Sequence, residues 1–259
     1  MEFKNPPAVL LDIDGVLYVG DVPIDGAIEA VAALRPIVSG IRFVTNTTSR
    51  SRGEIVAHLR ALGFEVGDDE VLTPAALAVS YCQEHGFKNV KLLVGDSLLE
   101  DFSGLGESNS GVPVDAVLLG DMGNDFNAEL LNDAFRLLQD GASLIALQHN
   151  RYWQHAEGLR LDVGAYSAAL EYATGKDAVV IGKPSEDFFL AALADLSAEP
   201  KDALMVGDDI EADVSGALVA GLQAVLVRTG KFRPGTYSES GFGPTAVIDS
   251  IAGLPALLA

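Results

Sequence analysis

Short apolar runs recur along the chain at residues 8–14, 41–46, 90–95, 115–120, 143–148, 178–182, 203–207 and 223–228, rich in Val, Ile and Leu and each closed by turn-forming residues. Runs of this length bounded by such residues read as buried strands. Between them, apolar positions at helical spacing predict helices near 26–38, 52–63, 74–86, 126–140, 164–175, 185–197, 210–220 and 249–258. The alternation of the two predicts an α/β fold on a mainly parallel sheet covered by helices. The stretch Gly104–Val114, next to Ser103 and including Asn109 and Ser110, is expected to be a surface loop. Thr73–Pro74 and Gly182–Lys183–Pro184 are expected to be crossings between domains, because Pro restricts the residue before it.

Composition narrows this picture. A chain of 259 residues can form one large α/β domain or a core with a smaller insertion. Its apolar runs are far shorter than the roughly 20 residues that span a bilayer, so no membrane segment is expected. Glu2 and the Pro6–Pro7 pair stand where a signal peptide needs a basic start and an apolar stretch, which argues against export by that route. The single cysteine, Cys82, falls in a helical pattern and reads as a small buried hydrophobe, which fits a reducing cytoplasm. A formal charge of −20 argues against nucleic-acid and acidic-membrane partners, which need a positive face. An anion site in so acidic a protein needs local correction by a metal ion, a lysine or backbone amides.

Candidate chemistry collects at strand ends, where open parallel sheets bind their ligands. The first run ends in LLDIDG: Asp12 and Asp14 are two carboxylates one residue apart, and a turn at Gly15 can bring both round one reacting centre. One can then act as nucleophile and the other handle protons, although a strand followed by an Asp-Gly turn has the same pattern. The second run ends in VTNTTS, where Thr45 and Asn46 are candidates for phosphate, while Thr47, Thr48 and Ser49 also read as helix caps. Lys183, between Gly182 and Pro184, offers a point charge to phosphate. In VGDDIEAD, the carboxylates Asp208, Asp209 and Asp213 repel one another unless a cation joins them, which suggests magnesium; an acidic helix start is the plainer alternative. Asp96 and Asp121 also end strands and read as turn or cap residues.

Taken in this order, the four segments resemble the haloacid dehalogenase superfamily. Its first motif matches Asp12, Asp14 and Gly15, its second Thr45, its third Lys183 and its acidic fourth Asp208 and Asp209. The spacing of VTNTTS, GKP and VGDDIEAD is similar to subfamily IIA, the NagD-like phosphatases. GASLIALQHNRYW, GLRLDVGAYSAALEYATG and GKPSEDFFLAAL are similar to its group of phospholysine phosphohistidine inorganic pyrophosphate phosphatases and haloacid dehalogenase-like hydrolase domain-containing protein 2. Some members of that group carry Ser where this chain keeps Asp14.

The resemblance implies a Rossmann-like core at 1–74 and 183–259 with an inserted α/β cap of the C2 type at 75–182. It implies a phosphatase acting on a phosphorylated small molecule, with Asp12 as nucleophile and Asp14 as acid and base. Mg²⁺ would lie between the Asp12 carboxylate, the Asp14 carbonyl and Asp208, supported from behind by Asp209 and Asp213. Thr45, Asn46 and Lys183 would hold phosphate, and Arg151, Tyr152, Trp153, Asp162 and the Gly158–Gly164 loop of the cap are candidates for leaving-group contacts. A homodimer through the cap is a further implication. The rival readings are phosphoryl transfer to an acceptor other than water, pyrophosphatase activity, a metal-free dehalogenase and a noncatalytic phospho-ligand module.

Overall fold

The fold is described from a computed structural model, for residues 7–106, 111–155, 157–233 and 243–258. Residues 1–6, with Glu2 and Pro6, and residues 107–110 of the expected loop, with Asn109 and Ser110, lie outside the described residues. The chain divides into two compact units: residues 1–45, 53–72 and 183–259 form one, and residues 46–52 and 73–182 the other.

The first unit is built on a parallel sheet. Its strands are β1 (Ala8–Asp12), β4 (Gly40–Val44), β5 (Val71–Leu72), β12 (Ala203–Gly207), β13 (Gln223–Val227) and β14 (Ala246–Ile248), in the order β14-β13-β12-β1-β4-β5. A small antiparallel hairpin, β2 (Tyr18–Val19) with β3 (Val22–Pro23), follows β1. Every residue of β1 is buried, as expected of a central parallel strand covered on both faces. Val9 and Leu11 share one face with Leu204, Val206, Val225 and Val227, packed against Ala27, Val31 and Leu34 of helix α1 (Ala27–Leu34) and Ile55, Val56 and Leu59 of α2 (Arg52–Ala61). Each fully buried Leu or Val contributes on the order of 1.5–3 kcal/mol by leaving water.

The second unit has its own parallel sheet of β6 (Val90–Leu93), β7 (Ala116–Leu119), β8 (Ser143–Ala146) and β11 (Val179–Val180), in the order β11-β8-β7-β6. Side chains alternate between two cores. Ala116, Leu118 and Ile145 pack with Ala75, Ala78 and Cys82 of α3 (Pro74–Glu84), whereas Val117, Leu119 and Leu144 pack with Ala134 and Leu138 of α4 (Ala128–Gln139) and Leu170 of α5 (Val163–Thr174). Cys82 is fully buried and burial pushes its thiol up to about 11, so it serves as a small core hydrophobe. The helices start on side-chain caps: Thr73 accepts from Ala76 N with Pro74 behind it, Asn127 from Leu130 N, and Asp162 from Val163 N.

A second antiparallel hairpin, β9 (Tyr152–His155) with β10 (Gly158–Leu161), belongs to this unit. The expected Gly158–Gly164 loop is therefore strand β10 followed by the start of α5. Its Gly-Leu-Arg-Leu sequence alternates at period two but is too short and too exposed to read as a buried strand. Asp121 accepts from Gly123 N in a turn, and Asp96 opens a 3-10 helix, so both strand-terminal residues act locally.

Candidate active site

The order of the sheet brings the chemistry together. β1 lies between β4 on one side and β12 on the other, and ligands of open parallel sheets bind at the carboxyl end of the strands where the order reverses. Asp12 closes β1, paired in register with Val44; Thr45 follows Val44 directly, and Asp208 follows the last residue of β12. Lys183 stands before helix α6 (Glu186–Ala194), after the crossing from the second unit, and its peptide bond to Pro184 is cis.

Within the first unit, Lys183 Nζ donates to Asp12 Oδ1 at 2.6 Å and to Asp213 Oδ1 at 2.7 Å, with all three side chains at most one-tenth exposed. Asp12, Asp208 and Asp213 bring carboxylate oxygens within 4.8 Å of one another. The three clustered acids are therefore not the Asp208, Asp209 and Asp213 set expected from the sequence. Asp209 caps the π-helix Ile210–Ser215, accepting from Glu211 N and Ala212 N, and its other oxygen receives Lys231 Nζ at 3.1 Å. The wide turn carries Asp213 back to Lys183, while its Oδ2 accepts from Asp209 N at 3.1 Å.

Electrostatics follow from this crowding. When all are ionised, the four carboxylates of Asp12, Asp208, Asp209 and Asp213 outnumber the two ammonium groups of Lys183 and Lys231 by two. Burial would lower the Lys183 ammonium, but the Asp12 and Asp213 charges outweigh it and hold the group above its ordinary range. Burial raises the Asp12 carboxyl, against the opposing pull of Lys183. Burial, followed by the charges of Asp12 and Asp213, pushes Asp208 up to about 8. For Asp209, burial is outweighed by Lys231 and the helix-start amides, which keep it below its ordinary value.

A stability prediction follows from Asp208. Its folded form binds a proton more tightly than an unfolded aspartate does, so its contribution to stability is present at low pH and lost as pH rises from about 4 to about 8. In EDTA, the midpoint of thermal unfolding is expected to fall across that window, and Asp208→Asn is expected to flatten the fall. Scanning calorimetry at graded pH checks it; an equal slope in both proteins would remove Asp208 as its source.

The donor set fits a hard divalent cation. Asp208 Oδ1 is buried and has no hydrogen-bond partner among the described residues, and it belongs to the cluster of carboxylate oxygens that such ions prefer. Of the predicted carboxylate ligands, Asp12 and Asp208 lie in this cluster; Asp14, expected to offer its backbone carbonyl, has an exposed side chain. Thr45 is buried at the end of β4, its N–H donating to Leu72 O. Asn46 belongs to the second unit, where its Oδ1 lies so near Gly182 that a methyl group there would approach to 2.6 Å.

The expected specificity residues all fall in the second unit. Trp153 lines a cavity of about 170 Å³ with Phe126, Arg160 and Tyr166, the Phe126 and Tyr166 rings stacked at 3.8 Å. Arg151 and Tyr152 are exposed, and Asp162 caps α5 while Gln148 Nε2 donates to the same carboxylate. Burial raises the Asp162 carboxyl. Sequence reasoning missed Lys231 and the turn Thr229–Gly230 before it, although the pattern of an apolar strand running into Gly-Lys occurs twice, at Gly182–Lys183 and Gly230–Lys231.

Comparison with known proteins agrees with this geometry. Residues 9–107 match the family model of haloacid dehalogenase-like hydrolases, and residues 180–254 a second model of similar hydrolases. The chain is 43% identical over 226 residues to human haloacid dehalogenase-like hydrolase domain-containing protein 2, covering 87% of this chain and 85% of that one. It is 40% identical over 250 residues to human phospholysine phosphohistidine inorganic pyrophosphate phosphatase, covering 94% and 91%. Among solved structures, the p-nitrophenyl phosphatase of Archaeoglobus fulgidus superposes with a TM-score of 0.89 at 29% identity, covering 98% of this chain and 99% of that one. The glycerol phosphate phosphatase of Mycobacterium tuberculosis, solved with magnesium, superposes with a TM-score of 0.83 at 29% identity, covering 98% and 79%. With its Asp12, Lys183 and Asp208 gathered at the mouth of a parallel sheet, the chain belongs to the haloacid dehalogenase-like hydrolase family, subfamily IIA.

Proposed function

We propose that the protein is a magnesium-dependent phosphatase that hydrolyses a phosphate monoester, or a related phosphorylated small molecule, through a phospho-aspartate on Asp12. The observation that carries this reading is the placement of Asp12 at the end of the central strand, bonded to Lys183 and within 4.8 Å of the Asp208 and Asp213 oxygens. The phosphatases among its relatives and the magnesium in one structural neighbour support it.

In this reading an Asp12 oxygen attacks phosphorus, the bond to the leaving oxygen breaks, and Asp14 supplies the proton that oxygen needs. Water then attacks the phosphoryl group with Asp14 as base, releasing phosphate and restoring the Asp12 carboxylate. Lys183 orients Asp12 and offsets charge beside it, and Thr45 offers its hydroxyl to a phosphate oxygen. Asp12, Asp208 and the Asp14 carbonyl would hold the cation, with Asp213 behind them through Lys183. When bound, Mg²⁺ supplies the two positive charges that let a carboxylate and a phosphate approach. Asp209 acts one step further out, as a helix cap paired with Lys231.

Phosphate release from p-nitrophenyl phosphate, followed by a panel of phosphorylated metabolites and pyrophosphate, tests the reading. EDTA is expected to abolish release and added Mg²⁺ to restore it. Full activity in EDTA, or no release from any member of the panel with Mg²⁺ present, would overturn it.

A further inference from the structure

We propose that the turn Thr229–Gly230–Lys231 is the positioning element of Asp208, holding the carboxylate's Oδ2 so that Oδ1 is left as its free donor to the divalent cation. The inference rests on the metal-dependent reading above and assigns a task to residues outside the four family motifs.

Sheet order makes the arrangement possible. β12 lies between β13 and β1, so Asp208 emerges between the turn that follows β1 and the turn that follows β13. Each of those turns presents a glycine. Gly15 has φ +85° and Gly230 φ +60°, and a Cβ on either one would overlap Asp208 Oδ2. A Cβ on Gly230 would also come within 2.7 Å of the Gly15 Cα. The carboxylate therefore sits in a slot whose two walls are bare backbone, the close approach that only glycine permits.

Hydrogen bonds close the slot. Thr229 Oγ1 donates to Gly15 O at 2.5 Å and ties one wall to the other. Lys231 N donates to Asp208 Oδ2 at 2.6 Å, a short hydrogen bond. Both oxygens of a buried carboxylate need partners, yet here one is firmly held and the other has none among the described residues. A group held in this way keeps its orientation before the ion arrives, which is how residues behind a metal ligand raise affinity. The Lys231 side chain has a separate role, since its ammonium goes to Asp209.

Isothermal titration of the substrate-free, full-length protein with Mg²⁺ tests the proposal. Gly230→Ala is expected to weaken Mg²⁺ binding about 10–100-fold, the scale of losing support behind a metal ligand. Thr229→Val, a milder change of nearly equal shape, should weaken it several-fold, and in both variants kcat should recover at saturating Mg²⁺. Lys231→Ala keeps the amide and removes a positive charge near the ion, so its binding should be equal or tighter. Asp208→Ala should bind no Mg²⁺ at this site.

If the wild type binds no Mg²⁺, or Asp208→Ala binds as the wild type does, the metal reading falls and takes this inference with it. If Asp208→Ala loses the ion while Gly230→Ala and Thr229→Val bind as the wild type, only the positioning role is overturned. Weakening by Lys231→Ala equal to that of Gly230→Ala overturns it too, because the side chain would then be the active part. Should Gly230→Ala fail to fold, Thr229→Val decides alone.

Discussion

Changing Asp12 to Asn is expected to lower phosphate release by about 10⁴-fold or more, the scale on which removal of a nucleophile acts, while leaving the fold intact. Asparagine has nearly the same shape, and its carbonyl can still accept from Lys183 Nζ in a site whose side chains are at most one-tenth exposed. The substitution also removes one negative charge from a cluster that carries an excess of them. Unfolding in EDTA should therefore shift to equal or higher temperature as activity disappears, a combination that damage to the fold cannot produce. The same change at Asp14, whose side chain is exposed, separates the two carboxylates. With an aryl phosphate, Asp14→Asn should still phosphorylate Asp12, and the intermediate should accumulate for want of a base; with an alkyl phosphate it should scarcely react. Rapid-quench labelling with mass analysis reads both. Label on another residue, or turnover by Asp12→Asn near the wild-type rate, would overturn the assignment.

Lys183→Ala is expected to damage both stability and catalysis. Its ammonium is shared by Asp12 and Asp213, and removing one partner from a buried ion pair costs about 3–5 kcal/mol because the remaining charges lose the counter-charge in contact with them. Catalysis should fall roughly 10–1000-fold, as for loss of one preorganised donor. The stability loss should shrink at low pH, where the stranded carboxylates take up protons, and in Mg²⁺, which replaces part of the missing charge. Denaturant titration at pH 5 and pH 8, with and without Mg²⁺, measures each part. A loss of less than about 1 kcal/mol under all four conditions would place Lys183 in the class of solvated surface lysines.

The two-residue β5 and the half-buried β14 escaped, but the other parallel strands were legible as short apolar runs, buried on both faces in β1 and β12. The hairpins were not. β2 and β3 have two residues each, and in β9 and β10 Tyr152, Leu159 and Leu161 are exposed, so no buried run marks them. At the candidate site, Asp12 announced itself as the end of an apolar strand three residues before Gly15, and Lys183 and Asp208 by following Gly182 and Gly207. Asp209 and Asp213, expected to act alike, part company because a π-helical turn, which spacing does not encode, carries Asp213 back to Lys183. Lys231 passed unnoticed since it is an exposed turn lysine with little local to distinguish it; its approach to Asp209 depends on β13 lying beside β12, a long-range pairing.

The close approach at Gly182 has a consequence for how such a chain can change over generations. A methyl group there would come within 3.2 Å of the Pro74 ring, so the long stretch that leaves at Thr73 and returns at Gly182 begins and ends at nearly the same point. A segment whose ends meet can be lengthened, exchanged or replaced by a short loop with little change in the entropy of closing the surrounding chain, since that entropy grows only slowly with length. The sheet of β6, β7, β8 and β11, with a core on each of its faces, supplies the packing such a segment needs for itself. The two units can then drift under separate selection, one by turnover of whole insertions and the other held by single atoms around Asp12.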